Sequence, residues 1–213
     1  MSMQNSDHSV LTGPVLYLAR HGQTDYNRNK IFQGRSDIPL NETGLAQAEQ
    51  ISELLKDIPL TRAYVSPLVR ARTTASAILK DHDIPETVES RLTELFFGEW
   101  EGTPEVEVKE RWMEDYMDYR NNMENFHPEN GESARDAQKR AAEWWEEVCQ
   151  NFNTPDENIL VVAHQSLNAV LACYVVGVSL RNAWEQFKTS PGEVLRIATG
   201  RVAQVSRLTP DIV

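Results

Sequence analysis

The stretch Val15-Leu16-Tyr17-Leu18-Ala19-Arg20-His21-Gly22 decides the fold of this chain. Its first five residues form an apolar run that stops abruptly at a polar Arg-His-Gly segment. A continuous apolar run of this length is typical of a strand buried on both faces of a parallel sheet. A second such run, Asn158-Ile159-Leu160-Val161-Val162-Ala163, stops at His164. Each of these two histidines is therefore predicted to follow the carboxyl end of a buried strand.

Helical and extended patterns alternate along the rest of the chain. Apolar residues at helical spacing predict helices over about 41–56, 69–79, 104–121, 133–150 and 166–176. Short apolar runs predict further strands at 63–65, 87–89, 193–198 and 202–207. Residues 22–40 are polar and interrupted by Gly and Pro, which is typical of a loop. This order predicts a three-layer α/β/α sandwich with a mostly parallel central sheet.

Length and charge restrict the class of protein. The 213 residues suit one domain, predicted over 14–213, after a flexible N-terminal tail at 1–13. A net charge of −11 argues against nucleic-acid and anionic-membrane partners, because both need a basic surface. A small anionic substrate remains compatible, since a local basic pocket can form in an acidic protein.

The sequence favours a cytoplasmic location. The N-terminus is polar and has no signal-peptide pattern, and no apolar stretch approaches the roughly 18 residues that suggest a membrane helix. Cys149 and Cys173 lie in apolar helical patterns, and we expect both to be buried free thiols of a reducing compartment. No Cys/His spacing of the kind that binds zinc is present.

Chemically active residues follow three predicted strands. They are the segments Arg20-His21-Gly22, Ser66-Pro67-Leu68-Val69-Arg70 and His164-Gln165. Ligands bind beyond the carboxyl ends of strands in such sheets, so we expect the three segments to converge there. A neutral imidazole is a competent nucleophile, and arginine presents a fork of donors that fits phosphate oxygens. Any one of these residues alone is more often structural, and their conjunction is what favours an anion site.

A carboxylic acid would complete a phosphoryl-transfer site, and Glu94 is the nearest plausible donor. Phosphoryl transfer needs mainly positioning and neutralisation of the charged oxygens, with a proton for the leaving group. Two arginines, two histidines and one carboxyl group around one point would supply these functions.

Several motifs follow one another along the chain. They are Leu18-Ala19-Arg20-His21-Gly22-Gln23-Thr24, Asn27, Gln33-Gly34, Pro39 to Ala48, Ser66 to Ala75, Leu92-Thr93-Glu94-Leu95, Gly98-Glu99-Trp100-Glu101-Gly102 and Val161-Val162-Ala163-His164. In this order they resemble the motifs of the histidine phosphatase superfamily, also called phosphoglycerate mutase-like. The likeness extends over about residues 14–208 and includes a Gly131-Glu132-Ser133 element that matches the family's GES segment.

The resemblance implies roles for the matching residues. His21 would form a phosphohistidine, and Glu94 would protonate the leaving group and then help to activate water. The remaining catalytic residues would be Arg20, Arg70 and His164. The phosphate would be bound by Arg20, Asn27, Gln33, Gly34, Arg70, His164 and Gln165. Glu132 and Ser133 are expected to cap a helix rather than to catalyse.

The implied activity is that of a histidine acid-type phosphatase, a phosphoric monoester hydrolase that acts on a small phosphorylated metabolite. No metal and no organic cofactor are implied, and a homodimer is left open. A cofactor-dependent phosphoglycerate mutase is one alternative, although such mutases place an arginine where this chain has Leu95. A catalytically silent binding module of the same fold is another, although all five core residues are present.

Residues 95–133 are expected to form a helical cap that selects the substrate. Trp112, Tyr116, Tyr119 and Phe126 could line the pocket beneath it or form the core of the cap, and we favour the core. The cap holds many acids and only Lys109, Arg111 and Arg120 as bases. Repulsion by the acids argues mildly against highly charged bisphosphates. The substrate itself is not indicated by the sequence.

Overall fold

The computed structural model describes residues 13–151, 157–200 and 202–209, and the tail predicted at 1–13 lies outside these ranges apart from Gly13. Within them, six strands form one sheet in the order β3-β2-β4-β1-β5-β6. The strands are β1 (Val15–Arg20), β2 (Arg62–Val65), β3 (Glu86–Val88), β4 (Asn158–Ala163), β5 (Val194–Ala198) and β6 (Gln204–Leu208). The helices are α1 (Asp25–Arg28), α2 (Glu42–Leu55), α3 (Val69–Leu79), α4 (Glu105–Arg111), α5 (Met113–Asn121), α6 (Ala134–Gln150), α7 (Gln165–Val176) and α8 (Ala183–Phe187).

The predicted mostly parallel sandwich is confirmed. Strand β1 pairs with β4, and β2 with β3 and β4, in parallel, whereas β5 and β6 form an antiparallel edge. Alternate residues of β1 face opposite layers, because successive side chains of a strand point to opposite sides of a sheet. Leu16 and Leu18 belong to the core shared with α6 and α7, and Tyr17 and Ala19 to the core shared with α2 and α3.

The strand register determines where the functional residues lie. Arg20 at the end of β1 pairs with Ala163 at the end of β4, and Val65 at the end of β2 pairs with Val162. The residues that directly follow β1, β4 and β2 are His21, His164 and Ser66. The register therefore gathers these residues at one edge of the sheet, as the sequence predicts.

Several local predictions need correction. The predicted loop at 22–40 contains α1, which begins with a capping box between Thr24 and Asn27. The helix predicted over 104–121 is two helices, because Trp112 has φ −136° and ψ 51° and interrupts the helical backbone. Helix α8 lies in a region for which no element was predicted. Cys173 is buried, but Cys149 is exposed on α6, contrary to the expectation that both thiols are buried.

A cluster of aromatic rings holds the segment between β3 and α6 against the sheet. Phe97 and Trp100 stack with ring centroids 6.2 Å apart, and Tyr119 and Phe126 both pack on Trp100. Phe32, from the loop after α1, contacts Trp100 at 5.0 Å. This contact joins the segment to the loop that carries Gln33. Within the described ranges, no helix is long and apolar enough to cross a membrane.

The loop after β1 approaches the start of α2 so closely that only glycine fits on either side. A methyl group on Gly22 would lie 2.2 Å from the carbonyl oxygen of Gly44, and one on Gly44 would lie 2.1 Å from that of Gln23. The Gly22 amide also donates to Thr74 Oγ1 at 3.1 Å. These contacts fix the backbone next to His21.

We predict that Gly44→Ala destabilises the protein, although Gly→Ala in a helix usually stabilises by about 1 kcal/mol. The backbone clash should lower the free energy of unfolding by about 1–3 kcal/mol, measured by denaturant titration. The control is Leu45→Ala, because the neighbouring Leu45 side chain is about half exposed. This substitution should change the free energy of unfolding by less than about 0.5 kcal/mol. A more stable Gly44→Ala variant would contradict this account of the loop.

Candidate active site

His21 is held as a neutral imidazole whose Nε2 carries the lone pair. Its Nδ1 lies 2.7 Å from the carbonyl oxygen of Gly22, which can only accept, so Nδ1 carries the proton. Arg70 Nε donates to Nε2 at 3.2 Å. Burial, followed by the charges of Arg70 and Arg20, holds the pKa of His21 well below its usual value. The side chain therefore has the protonation state that a nucleophile needs.

His164 is fully buried next to His21, with the ring centroids 5.1 Å apart. Its Nε2 is 2.7 Å from Ser66 Oγ, and its Nδ1 has no hydrogen-bond partner in the described part of the chain. Burial and then the charge of Arg70 lower the pKa of His164 well below its usual value. A second neutral imidazole thus supports the first, with one nitrogen anchored by Ser66.

Two buried arginines supply the positive charge of the site. Arg20 Nη1 donates to the carbonyl of Thr189 at 2.7 Å, and Arg70 donates to the carbonyls of Ser36 and Gly34, both at 2.7 Å. Burial lowers the pKa of each arginine to about 10, so both remain charged at neutral pH. Among the ion pairs of the described residues, none involves either guanidinium. Two buried cations held only by neutral groups favour the binding of an anion.

Glu94 is a buried carboxyl group at the N-terminus of α7. Its Oε1 accepts from the amides of Leu95 at 2.9 Å and Leu167 at 3.0 Å, and its Oε2 accepts from that of Ser166 at 3.2 Å. Burial raises the pKa of Glu94, and the hydrogen bonds and the charge of Arg70 oppose this shift without cancelling it. A carboxyl group with a raised pKa can donate a proton and later accept one.

These groups surround a cavity of about 230 Å³, at the edge of the sheet where β1, β2 and β4 end. Its volume is at the low end for ligand pockets and suits a small molecule. The predicted site residues that line it are Arg20, His21, Asn27, Gln33, Gly34, Arg70, Glu94 and Gln165. His164 is not among the lining residues and lies behind His21. Its role as a phosphate ligand therefore stays a prediction.

Local contacts hold the other residues that are predicted to bind phosphate. Asn27 Oδ1 accepts from the Thr24 amide at 3.2 Å, which leaves its amide nitrogen available to donate. Gln33 Oε1 accepts from Thr24 Oγ1 at 2.8 Å. Gly34 has φ 51°, which favours glycine, and a methyl group there would displace the Glu101 carboxylate, whose Oε1 would lie 1.9 Å away. Gln165 begins α7.

The aromatic residues of the predicted cap divide into two groups. Tyr116 and Tyr119 are buried and also line the cavity, so these two side chains belong both to the core of the predicted cap and to the wall of the pocket. Phe126 is buried in the core and does not line the cavity. Trp112 is half-buried against the same core. The Tyr119 hydroxyl lies 3.2 Å from Ser166 Oγ, next to the amide that binds Glu94.

An ionic cluster that the sequence does not reveal holds the backbone of Glu94. Arg140 Nη2 and Arg35 Nε both donate to the Glu94 carbonyl, at 3.2 and 3.3 Å. Glu132 accepts from Arg140 at 2.7 Å and from Arg35 at 3.1 Å. The expectation that Glu132 caps a helix is therefore wrong, whereas Ser133 does cap α6, since its Oγ accepts from the Asp136 amide at 3.1 Å. Only the GES motif pointed to this position.

Side chains that commonly bind metal ions do not cluster in the described part of the chain. Among the described residues, no group of three or more His, Cys, Asp or Glu side chains is arranged to hold a metal ion.

Comparison with known proteins places the chain among phosphatases and mutases of one family. The sequence model of the histidine phosphatase superfamily (branch 1) matches residues 16–208. The adenosylcobalamin/alpha-ribazole phosphatase of Salmonella typhimurium is 29% identical over 177 residues, which are 83% of this chain and 86% of that protein. The 2,3-bisphosphoglycerate-dependent phosphoglycerate mutase 2 of Gloeobacter violaceus is 32% identical over 162 residues, 74% of each chain.

A solved structure also shares the fold. The mycobacterial glucosyl-3-phosphoglycerate phosphatase in complex with VO3 superposes with a TM-score of 0.80 at 25% identity, covering 91% of this chain and 96% of that one. The sequence relatives and this structure together include phosphatases of different substrates and phosphoglycerate mutases. The likeness therefore establishes a family without establishing a substrate.

We predict that Arg140→Met weakens the support of Glu94. Loss of the ion pair with Glu132 and of the bonds to backbone carbonyls should lower the free energy of unfolding by about 1–3 kcal/mol, and kcat should fall. The control is Arg135→Met on the same helix, whose ion pair with Glu124 is largely exposed and should contribute less than about 1 kcal/mol. Equal effects of the two substitutions on stability and kcat would contradict the positioning role.

Proposed function

The chain belongs to the histidine phosphatase superfamily, and from this we propose that it hydrolyses a small phosphorylated metabolite through a phosphohistidine on His21. The observation that carries the proposal is the placement of an unprotonated imidazole nitrogen next to two buried arginines that form no ion pair among the described residues. The phosphatases among its relatives act on small phosphate compounds by their names, which supports the same reaction class here.

In the first step, the Nε2 lone pair of His21 attacks phosphorus and the bond to the leaving oxygen breaks. The leaving oxygen takes the proton of Glu94, whose raised pKa favours the acid form. The imidazole becomes positively charged as it is phosphorylated. Its Nδ1–H bond to the Gly22 carbonyl stabilises this charge and fixes the ring orientation.

In the second step, water attacks the phosphohistidine. Glu94, now a carboxylate, accepts the proton of the attacking water, and the N–P bond breaks to release inorganic phosphate. His21 returns to its neutral form. Throughout both steps, Arg20 and Arg70 neutralise the phosphoryl oxygens, with Asn27, Gln33, Gly34, His164 and Gln165 proposed to complete the phosphate site.

The finer features of the enzyme follow from the same proposal. The two arginines supply positive charge in both steps, so we propose that no metal is required. We propose that residues 14–213 form one domain in which residues 95–133 cover the cavity, since Tyr116, Tyr119 and Arg120 line it. Two unpaired cysteines support a reducing, cytoplasmic location. A homodimer stays a prediction.

We predict that His21→Ala lowers kcat on any hydrolysed phosphate ester by at least about 10³-fold, because the nucleophile is lost. Phosphate release from a panel of phosphorylated metabolites, measured with excess EDTA, provides the test. His127→Ala is the control, because His127 is exposed and does not line the cavity. Activity that survives in His21→Ala would contradict the nucleophile, and activity that EDTA removes and added metal restores would contradict metal independence.

The same panel separates the alternatives. Transfer of phosphate between positions of a phosphoglycerate, without release, would favour the mutase. No turnover of any panel compound by the wild type would favour a silent binding module.

We predict that Glu94→Gln affects esters according to their leaving groups. Turnover of an alkyl phosphate should fall by about 10²–10⁴-fold, whereas phosphorylation by 4-nitrophenyl phosphate should fall much less, because 4-nitrophenolate leaves without a proton. Burst kinetics measure the first step separately. Glu99→Gln, at an exposed carboxylate, should leave both esters unaffected. Equal burst-rate losses on both esters would exclude Glu94 as the acid.

The wild type should also show a matching pH dependence. Because the pKa of Glu94 is raised, the acid form persists to higher pH than for a free glutamate. The kcat/KM of an alkyl phosphate should therefore decrease as pH rises through this raised pKa. The low pKa of His21 keeps the nucleophile unprotonated in the same range. Glu94→Gln should remove this decrease.

A further inference from the structure

The exposed end of the cavity carries positive charge that phosphoryl transfer does not use. Lys30, Arg120 and Lys188 line the cavity together with the buried catalytic groups, and all three are exposed. We propose that these three residues bind a second anionic group of the substrate, a carboxylate or a second phosphate. The inference rests on the proposed function and narrows its substrate class to phosphomonoesters that carry another negative charge.

The three bases of the 95–133 segment differ in how their charges are balanced. Lys109 pairs with Glu105 at 2.8 Å, and Arg111 pairs with Glu107 at 2.9 Å, each one turn along the same helix. Arg120 has no carboxylate within ion-pair distance among the described residues. Its guanidinium lies 5.4 Å from the ring centre of Trp184, which also lines the cavity. The one unbalanced base of the segment is thus the one that faces the cavity.

Glu105, a carboxylate that lines the cavity, already has partners. Its Oε1 accepts from the Tyr116 hydroxyl at 2.5 Å and pairs with Lys109. Lys109 itself lies over the Tyr116 ring at 4.9 Å. Glu105 therefore competes weakly for Arg120, Lys30 or Lys188. The outer cavity keeps an excess of positive charge, although the protein as a whole has a net charge of −11.

Backbone contacts place Lys30 at the cavity. Lys30 has φ 55°, a left-handed conformation that is unfavourable for a non-glycine residue. The Glu105 amide donates to its carbonyl at 2.8 Å, and its own amide donates to the Asn27 carbonyl at 3.2 Å. The contacts tie Lys30 both to α4 and to a predicted phosphate-site residue. They fix the backbone from which its ammonium group reaches the cavity.

Aromatic groups separate the two charged ends. Tyr119 and Trp184 pack edge to face at 5.0 Å, and both line the cavity beside Arg120. A substrate that reaches from His21 to Arg120 would lie along these rings. The acidic composition of 95–133 argued against multiply charged substrates, but its carboxylates do not determine the charge facing the cavity.

Two pairs of esters test the proposal. In the first pair, 3-phosphoglycerate carries a carboxylate where glycerol 3-phosphate carries a hydroxymethyl group. Propanediol monophosphate and propanediol 1,3-bisphosphate differ by a second phosphate. We expect wild-type kcat/KM to favour the more charged member of at least one pair by about tenfold or more, the scale of one charge-assisted contact. The pair that shows the preference identifies the anion as carboxylate or phosphate.

Substitution then locates the effect. Arg120→Met should reduce the preference ratio by about threefold or more, and the triple variant with Lys30→Met and Lys188→Met should bring it close to one. Arg111→Met, which removes a balanced charge from the same segment, should leave the ratio unchanged. Because the readout is a ratio within one variant, a general loss of activity does not imitate the result.

Two outcomes separate the proposals. Hydrolysis of all four esters without a preference for charge, or a preference that survives the triple variant, would overturn the second-anion site and leave the phosphatase intact. Failure to hydrolyse any phosphate ester would overturn the proposed function, and this inference with it.

Discussion

Two buried guanidinium groups without carboxylate partners impose the strongest constraint on this structure. Arg20 and Arg70 donate to backbone carbonyls and form no ion pair among the described residues, and the Nε of Arg20 has no hydrogen-bond partner there. Buried charges are costly unless they are paired, so an anion bound in the cavity would stabilise both guanidinium groups. Burial, followed by these charges, holds the pKa of His21 and His164 well below the usual value. The arginines thus contribute both to phosphate binding and to keeping the nucleophile unprotonated.

Strand register and the close packing of the backbone at two glycines position these groups. Strands β1, β2 and β4 end at the same edge of the sheet, so the residues that directly follow them lie close together. Glycines at 22 and 44 let the loop of the nucleophile pack directly on α2. Glu94 comes from an irregular segment, and its position depends on the α7 amides and on the cluster of Arg35, Glu132 and Arg140.

The sequence predicted what is encoded locally. Apolar runs that stop at His21 and His164 identified the strands and their functional ends, and helical spacing located α2, α3 and α7. It did not predict contacts between distant residues, such as the Ser66–His164 hydrogen bond or the Arg140–Glu94 contact, because no local pattern records them. Trp112 interrupts a segment with helical composition, and Cys149 faces solvent within an apolar pattern, since tertiary packing overrides local preference in both.

The central claim is that Nε2 of His21 carries the phosphoryl group during turnover. The most direct measurement is rapid quenching into alkali with a hydrolysed ester, followed by mass spectrometric mapping and phosphorus NMR of the labelled peptide. The account predicts an acid-labile phosphate on His21, bound at Nε2 because Nδ1 donates to the Gly22 carbonyl. A phosphate on another residue, or turnover with no phosphoenzyme in the burst phase, would contradict it.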